Sequence, residues 1–470
     1  MQFIRRAVNW TPKTPIFYGW VTLIIGALGT YGATGSAQVT IAGIQTLIFE
    51  DTGWDRSTIA IGVTIGTWTA GFLTPIFGKL VDSQGPRWIM PSASLITGVC
   101  FLWIGGMSAV WHFYAAYIIA RGLGNPALIG VVPRTVAVNF FHRKRNLALG
   151  IVSMARPCFG AINVQLIALI ALWSSWRTAY RLLGAYSILL TVPLLIFMRR
   201  KPEDIGLRPD GDIEPETDSK QISNNSDADS VGDHQHEMNW TTSEAIRSST
   251  LWFVISAEFL VILTSGTIGF QFVPYLKESG LSVSTAALAW SISSLMNAFS
   301  NPLWGFLSDR YSPRKLVLSA MPICIAITTL FLLIDGGMAG FFCVIFWGAA
   351  SGGLNVLGGM MIANYYGRSS FGSISGIMGP FQIGGLGIGP TAGAYLYKMT
   401  GTYRSLFIFA LTAYILALIL FGLAKKPKHP TQIQIADRTI GYMKPPNRTY
   451  LYAKANLQTA TIEILEKLNT

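Results

Sequence analysis

Long apolar stretches alternate with short polar turns along nearly the whole chain. About 20 residues, wound as a helix, cross a hydrocarbon core roughly 30 Å thick. Backbone amides cannot stay unpaired in lipid, so these stretches must be helical. Twelve occur, at 17–40, 57–80, 88–107, 112–138, 147–171, 178–198, 251–275, 284–308, 315–335, 339–363, 372–397 and 405–424. The pattern predicts an all-α membrane protein with twelve transmembrane helices.

The composition agrees with a lipid environment. The chain is 51% hydrophobic and 12% charged, with a mean hydropathy of +0.44, whereas soluble domains carry about 25% charged residues. Near the predicted helix ends, eighteen basic residues fall on one side of the membrane and five on the other. This bias predicts a multi-pass protein of the plasma membrane with both termini in the cytoplasm. The net charge of +12 therefore reports topology and does not indicate nucleic acid as a partner.

A shift of 227 residues brings the chain onto itself. The segment Gly53–Arg87 meets Gly280–Arg314 with twelve identities in thirty-five positions, and Arg177 and Arg404 stand the same distance apart. The chain therefore contains two tandem copies of one unit, with six predicted spans in each. We expect two pseudo-symmetric six-helix bundles, and paired repeats in membrane proteins usually enclose a binding site.

A polar stretch separates the two copies. Its middle, Asp210–Glu237, has too few apolar residues to fold and should be disordered. We expect four parts, which are a first bundle at 1–198, a cytoplasmic linker at 199–249, a second bundle at 250–424 and a cytoplasmic tail at 425–470.

A short charged motif occupies the same turn in both copies, between the second and third spans of each. Glycine permits close approach, the acid can cap a neighbouring helix, and the arginine can bridge to another helix end. An ordinary charged turn would explain one copy, but two copies at equivalent places favour a gate that closes the cytoplasmic face. The predicted gating residues are Gly78, Asp82, Arg87, Gly305, Asp309 and Arg314.

This motif resembles that of the major facilitator superfamily of secondary transporters, and the resemblance covers all but the linker and tail. The chain is most similar to the monocarboxylate transporter and oxalate–formate antiporter branch, on Tyr18-Gly19-Trp20, Gly53 to Ser57 and Phe140 to Arg145. The resemblance implies transport by alternating access. Monocarboxylate transporters carry an anion-binding arginine just before the proline of the eighth span, where this chain has Asn301. Their lysine in the first span would fall near Gln38 of this chain.

Charged residues inside predicted spans need a partner or a wet cavity, because burying one in lipid costs at least about 2.5 kcal/mol. Arg121 and Arg156 can both reach the middle of the membrane, where two guanidinium groups suit an anionic substrate. Arg121 could instead bond carbonyls freed by Pro126, and Arg134 is expected at the membrane interface. We predict that Arg156, Arg121, Gln38, Asn301 and Gln382 bind substrate, Gln382 taking the place of Arg156 in the second copy.

Glu258 is the acidic residue deepest within the predicted spans. A carboxyl group at this depth can gain and lose a proton as access alternates, which would couple transport to a proton gradient. Glu258 could equally be the fixed partner of an arginine, or lie shallow enough for its carboxyl group to reach the surface of the membrane.

No clustered nucleophile or metal-binding motif such as GxSxG or HExxH occurs, so we expect neither an enzyme nor a bound cofactor or metal. We predict a secondary transporter that moves a small organic anion of the carboxylate type by alternating access and that can couple this movement to protons. The alternatives are a carrier or exporter of neutral or cationic compounds, and a nutrient sensor that does not transport. The expected partners are a small-molecule substrate, the lipid bilayer and a proton, and we expect a monomer.

Overall fold

The computed structural model describes residues 16–54, 56–211, 240–334 and 336–427, which are helical almost throughout. The first half contains α1 (Tyr18–Ala33), α2 (Gln38–Thr52), α3 (Arg56–Gln84), α4 (Pro86–Gly105), α5 (Val110–Gly124), α6 (Val131–Phe140), α7 (Arg145–Trp173) and α8 (Trp176–Phe197). The second half contains α9 (Thr242–Arg247), α10 (Ser249–Glu278), α11 (Val283–Arg310), α12 (Pro313–Leu333), α13 (Gly337–Tyr366), α14 (Phe371–Gly376), α15 (Met378–Thr400) and α16 (Arg404–Leu423). Residues up to Lys425 form one compact unit, and the predicted tail lies almost wholly outside the described residues.

The spans lie where the hydrophobic pattern places them, with helix ends that differ from the prediction by a few residues in eleven of twelve cases. Nine of the described helices are long and apolar enough to cross a membrane, counting α5 and α6 together as one. The remaining spans are the first, which is broken, and those formed by α11 and by α14 with α15. The prediction of an all-α membrane protein is confirmed.

The first span departs from the prediction of one helix over 17–40. After α1 a 3-10 turn covers Thr34–Ser36, Ala37 is extended, and α2 continues to Thr52. Carbonyl groups at such a break need partners, because unpaired backbone groups are costly in a membrane. Three fully buried side chains donate to them: Asn163 Nδ2 to Tyr31 O (2.8 Å), Tyr180 OH to Gly35 O (3.0 Å) and Tyr117 OH to Ser36 O (2.9 Å).

The two halves meet along two equivalent seams. In one, α3 packs against α14 and α15, and in the other its repeat counterpart α11 packs against α7. The backbones approach closely at glycines, so a Cβ atom added to Gly150 would lie 2.6 Å from Asn301 O. Small residues at helix interfaces favour association in lipid, where apolar burial gives little drive.

We call the side of the molecule at which α3 and α11 end the basic face, which the charge distribution predicts to be cytoplasmic, and the other side the opposite face. At the opposite face, Asp51 Oδ2 accepts hydrogen bonds from Arg177 Nε (2.8 Å) and Trp176 Nε1 (3.2 Å). In the second copy Glu278 Oε1 accepts a hydrogen bond from Tyr403 OH (3.5 Å), which corresponds to Trp176. These contacts stay within their own half of the chain.

The start of the polar linker is ordered at the basic face. Asp210 Oδ2 accepts hydrogen bonds from the backbone N–H groups of His142 (3.0 Å) and Arg143 (2.6 Å). Glu203 forms an ion pair with Arg368 of the second half at 2.7 Å. The prediction of disorder from Asp210 onward is therefore wrong at its first residues, since Asp210 is held by backbone bonds that composition does not reveal. The remainder of that segment lies outside the described residues.

Candidate functional site

Asp82, near the end of α3, joins the two halves at the basic face. Its carboxylate accepts hydrogen bonds from the backbone N–H groups of Gly372 (3.0 Å) and Ser373 (2.6 Å), at the start of α14. The first N–H groups of a helix lack partners within the helix and carry partial positive charge. A carboxylate placed there satisfies both, so Asp82 fastens the first half to the second.

Asp309, the copy of Asp82 in the second half, makes the equivalent contact in the other direction. Its carboxylate accepts hydrogen bonds from the backbone N–H groups of Asn146 (2.9 Å) and Leu147 (3.1 Å), at the start of α7. Both aspartates therefore bridge between the halves, and the basic face is closed in this structure.

The glycines of the same motif lie at the tightest points of the seams. A Cβ atom on Gly78 would collide with the backbone carbonyl of Gly372, and one on Gly305 would lie 2.5 Å from Asn146 O. Of the two motif arginines, Arg314 donates to the carbonyl of Gly422 in its own half, and Arg87 lies near Tyr18 and Arg199.

Four charged side chains lie together deeper in the molecule. Arg156 on α7 is within electrostatic range of Arg121 on α5 and of Arg134 on α6, and Arg134 is in turn within range of Glu258 on α10. We call these four residues the charged centre; it holds three basic groups and one acidic group, and of the three arginines Arg134 is the one within range of Glu258. The arginines all come from the first half and the carboxylate from the second.

Arg156 is the exposed member of this group. It lies seven residues before Asn163, and seven residues make almost two complete helical turns, so both side chains leave the same face of α7. Because Asn163 bonds to the end of α1, this face is turned toward the broken first span. An exposed guanidinium within a membrane-spanning helix can bind an anion that enters from solution.

Arg121 is fully buried, and none of its three guanidinium nitrogens has a hydrogen-bond partner among the described residues. The Cβ atom of Arg121 lies near Gly66 of α3. Tyr117, one turn earlier on α5, is within electrostatic range of the guanidinium group. A buried cation without a partner is costly. The interpretation in which it bonds carbonyls freed by Pro126 finds no such bond, so its charge remains available to the centre.

Glu258 is 1% exposed, and the backbone of Gly358 on α13 is the polar group next to its carboxylate. The carboxylate packs directly against the Cα of Gly358 on α13, where a Cβ atom would not fit. Arg134, half-buried on α6, is the charged group that acts on it. The pair spans the boundary between the two halves, so a change in either charge affects how the halves fit together.

A cavity of about 550 Å³ lies between the two halves. Gln38 and the α3 residues Thr67 and Trp68 line it on one side, and Ile383 to Tyr395 of α15 line it on the other. Gln38 therefore lines a cavity, and its role in binding a ligand stays a prediction.

The other four predicted binding residues, Arg156, Arg121, Gln382 and Asn301, do not line this cavity. Gln382 is half-buried beside Ile383. Asn301 is 4% exposed, and with its amide oriented to suit its neighbours it donates to Asn297 O (3.2 Å) and Gly352 O (2.9 Å) within the second half.

Two features of the site were not anticipated from the sequence. Arg134, expected at the membrane interface, belongs to the charged centre because α10 of the other half brings Glu258 to it. The break in the first span has no proline to signal it, although the glycine and serine ahead of Ala37 are weak helix formers that could have raised the question. Among the described residues, no group of three His, Cys, Asp or Glu side chains is placed to hold a metal ion.

Several known proteins are similar to this chain. It is 24% identical to the uncharacterized transporter YcxA of Bacillus subtilis over 370 residues, which cover 74% of this chain and 81% of that protein. It is 25% identical to the oxalate:formate antiporter of Oxalobacter formigenes, over 53% of this chain and 54% of the antiporter. It is 20% identical to human monocarboxylate transporter 2, over 83% of this chain and 82% of that protein.

The fold is also that of a solved transporter. The crystal structure of FucP in the outward conformation superposes with a TM-score of 0.65 and 13% identity, covering 86% of this chain and 98% of FucP. The family model of the major facilitator superfamily matches residues 23–334 and 254–461. These findings confirm the family that the repeated motif predicted, whose members are carriers and not enzymes. The chain belongs to the major facilitator superfamily of membrane transporters.

Proposed function

We propose that this protein is a secondary active transporter of a small organic anion, and that Arg156 makes the first contact with it. The observation that carries the proposal is the charged centre, in which three arginines outnumber a single carboxylate that is within range of Arg134. A guanidinium group suits carboxylate and phosphate oxygens because it presents a planar set of donors. The relatives named for oxalate, formate and monocarboxylates agree with this chemistry.

Alternating access follows from the way the halves are joined. Asp82 and Asp309 hold the basic face shut while Arg156 remains exposed. Rocking of the halves about the charged centre would break both aspartate contacts together and open that face. The predicted orientation makes this structure the outward-facing state, with the site open to the outside of the cell.

Proton coupling through Glu258 would use the same geometry. When Glu258 is ionised it neutralises part of the charge of Arg134, and when it is protonated that charge becomes free for the substrate. Binding of an anion and binding of a proton would therefore support each other, as symport requires.

Uptake of radiolabelled organic acids into proteoliposomes tests the proposal, with Arg156→Ala as the informative variant. We expect its affinity for the transported acid to fall about 30-fold or more, which corresponds to roughly 2 kcal/mol. Arg181→Ala, which removes an exposed arginine on α8, is the matched control and should transport normally.

The outcomes separate the alternatives. Uptake of a neutral or cationic compound that Arg156→Ala leaves intact would contradict the anion proposal. Binding of an acid by purified protein without any uptake would identify a sensor.

A further inference from the structure

The break in the first span creates a helix start inside the membrane region. The first backbone hydrogen bond of α2 runs from Ile41 N–H to Ala37 O (3.1 Å), so the N–H groups of the first α2 residues, from Gln38 on, have no partner within the helix. Ala37 has no side chain that could cap them. The carbonyl groups ahead of the break are by contrast engaged by Asn163, Tyr117 and Tyr180. The groups without a partner in the helix at the break are thus the backbone N–H donors at the start of α2, which attract an anion and repel a cation.

A second, independent observation points to a ligand at this place. Thr67 on α3 is 7% exposed and its hydroxyl has no hydrogen-bond partner among the described residues, yet it lines the same cavity as Gln38, the first residue of α2. Buried hydroxyl groups are normally paired. The wall of the cavity thus offers the start of α2, the Gln38 amide and the Thr67 hydroxyl to one bound group.

This donor set is distinct from the charged centre and lies further toward the opposite face. Asn163, which bonds to the end of α1 beside the break, follows Arg156 by seven residues on the same face of α7. At 1.5 Å per residue the two levels are about 10 Å apart along the helix. Arg156 does not line the cavity of Gln38 and Thr67 itself. Its long side chain covers part of the roughly 10 Å, so the gap left between the two levels matches a molecule a few carbon atoms long.

We propose that the start of α2 binds the second carboxylate of a dicarboxylate substrate whose first carboxylate is held by Arg156. The inference rests on the anion transport proposed above and narrows it to acids with two charged ends, about four to six carbon atoms long. A monocarboxylate fills only the Arg156 end and leaves the donors at the break in water.

Thermal stabilisation of the purified full-length protein tests this, with chain-matched acids as probes. Succinate is compared with butyrate, and adipate with hexanoate. We expect each diacid to reach half-maximal stabilisation at a concentration at least tenfold lower than its monoacid partner.

Two pairs of variants locate the effect. Ala37→Asp places a carboxylate at the cap of α2, where it takes the free N–H groups itself. It should abolish the advantage of the diacids, whereas Ala37→Asn, which caps without a charge, should reduce the advantage less. Thr67→Val removes the hydroxyl at constant shape and should weaken diacid binding severalfold, and Thr69→Val, whose hydroxyl bonds within α3 to Ile65 O, should not.

Each outcome is decisive. Equal stabilisation by diacids and monoacids overturns this inference but leaves anion transport standing, and failure of all four acids contradicts both. A folded Ala37→Asp variant that keeps the diacid advantage also overturns it. If that variant does not fold, an unchanged diacid advantage in Thr67→Val does so instead.

Discussion

The two halves of this transporter are alike at their edges and unlike at their centre. Asp82 and Asp309 make matching contacts at the basic face, and Asp51 and Glu278 occupy matching places at the opposite face. In the middle, the first half supplies three arginines and a broken span, whereas the second supplies Glu258 and an unbroken α10. The two copies keep the same contacts at the two faces and differ at the centre, where we propose that the substrate binds.

The asymmetry of the centre can be tested most strongly at the pair Glu258 and Arg134. We expect Glu258→Gln and Arg134→Gln each to lower transport at least tenfold, because removing one member leaves the other charge buried without compensation. If Glu258 carries the proton, its Gln variant should also lose the pH dependence of uptake.

A double-mutant cycle measures whether the two charges act together. The variant carrying both changes should be more stable to heat than the sum of the single effects predicts, with a coupling of about 1 kcal/mol or more. Glu50→Gln on α2, which removes an exposed acid, is the control. Additive single effects would mean that the two residues act separately.

The symmetry of the seams predicts equal effects at Gly78 and Gly305. Alanine at either position forces the backbones apart at the basic face, so we expect turnover to fall about tenfold in both variants and hydrogen exchange at the starts of α14 and α7 to rise. Gly359→Ala is the control, because a Cβ atom there meets nothing within 4 Å. A large effect at one glycine and none at the other would show that the two seams are not equivalent.

The smallest effects are expected at the aspartates themselves. Asp82→Asn and Asp309→Asn each retain one oxygen acceptor but lose the charge that favours a helix start, a difference of about 1 kcal/mol. Turnover should slow a few-fold in both while affinity for the substrate stays nearly unchanged, as measured by initial rates of uptake. Unchanged turnover in Asp82→Asn would remove this residue from the gate.

Much of the fold was predictable because every backbone N–H and C=O group must be paired in lipid, which few structures allow. Apolar stretches of sufficient length must be helices, and a repeated motif must occupy equivalent turns, so the positions of the spans and of the two matching turns followed from the sequence. The partners of Asp82 did not, since Gly372 and Ser373 carry no signal of their own and are contacted through backbone N–H groups.

The sequence alone identified the charged residues of the candidate site, but it did not show which of them lie next to one another. Arg156 and Glu258 stand out because charge is rare within spans. The environment of Arg134 depends on a helix of the other half, and the break at Ala37 depends on donors from three separate helices. Such features belong to packing between distant segments, which hydrophobic periodicity does not encode.

The donors that support the broken span all come from the first half, so its shape requires neither a ligand nor the second half. If this surface binds the substrate as proposed, it is formed before the substrate arrives, and little of the binding free energy is lost in ordering it. When the two halves rock, the donors of this surface would move together with the first half. The substrate would then meet the same arrangement of donors on both sides of the membrane.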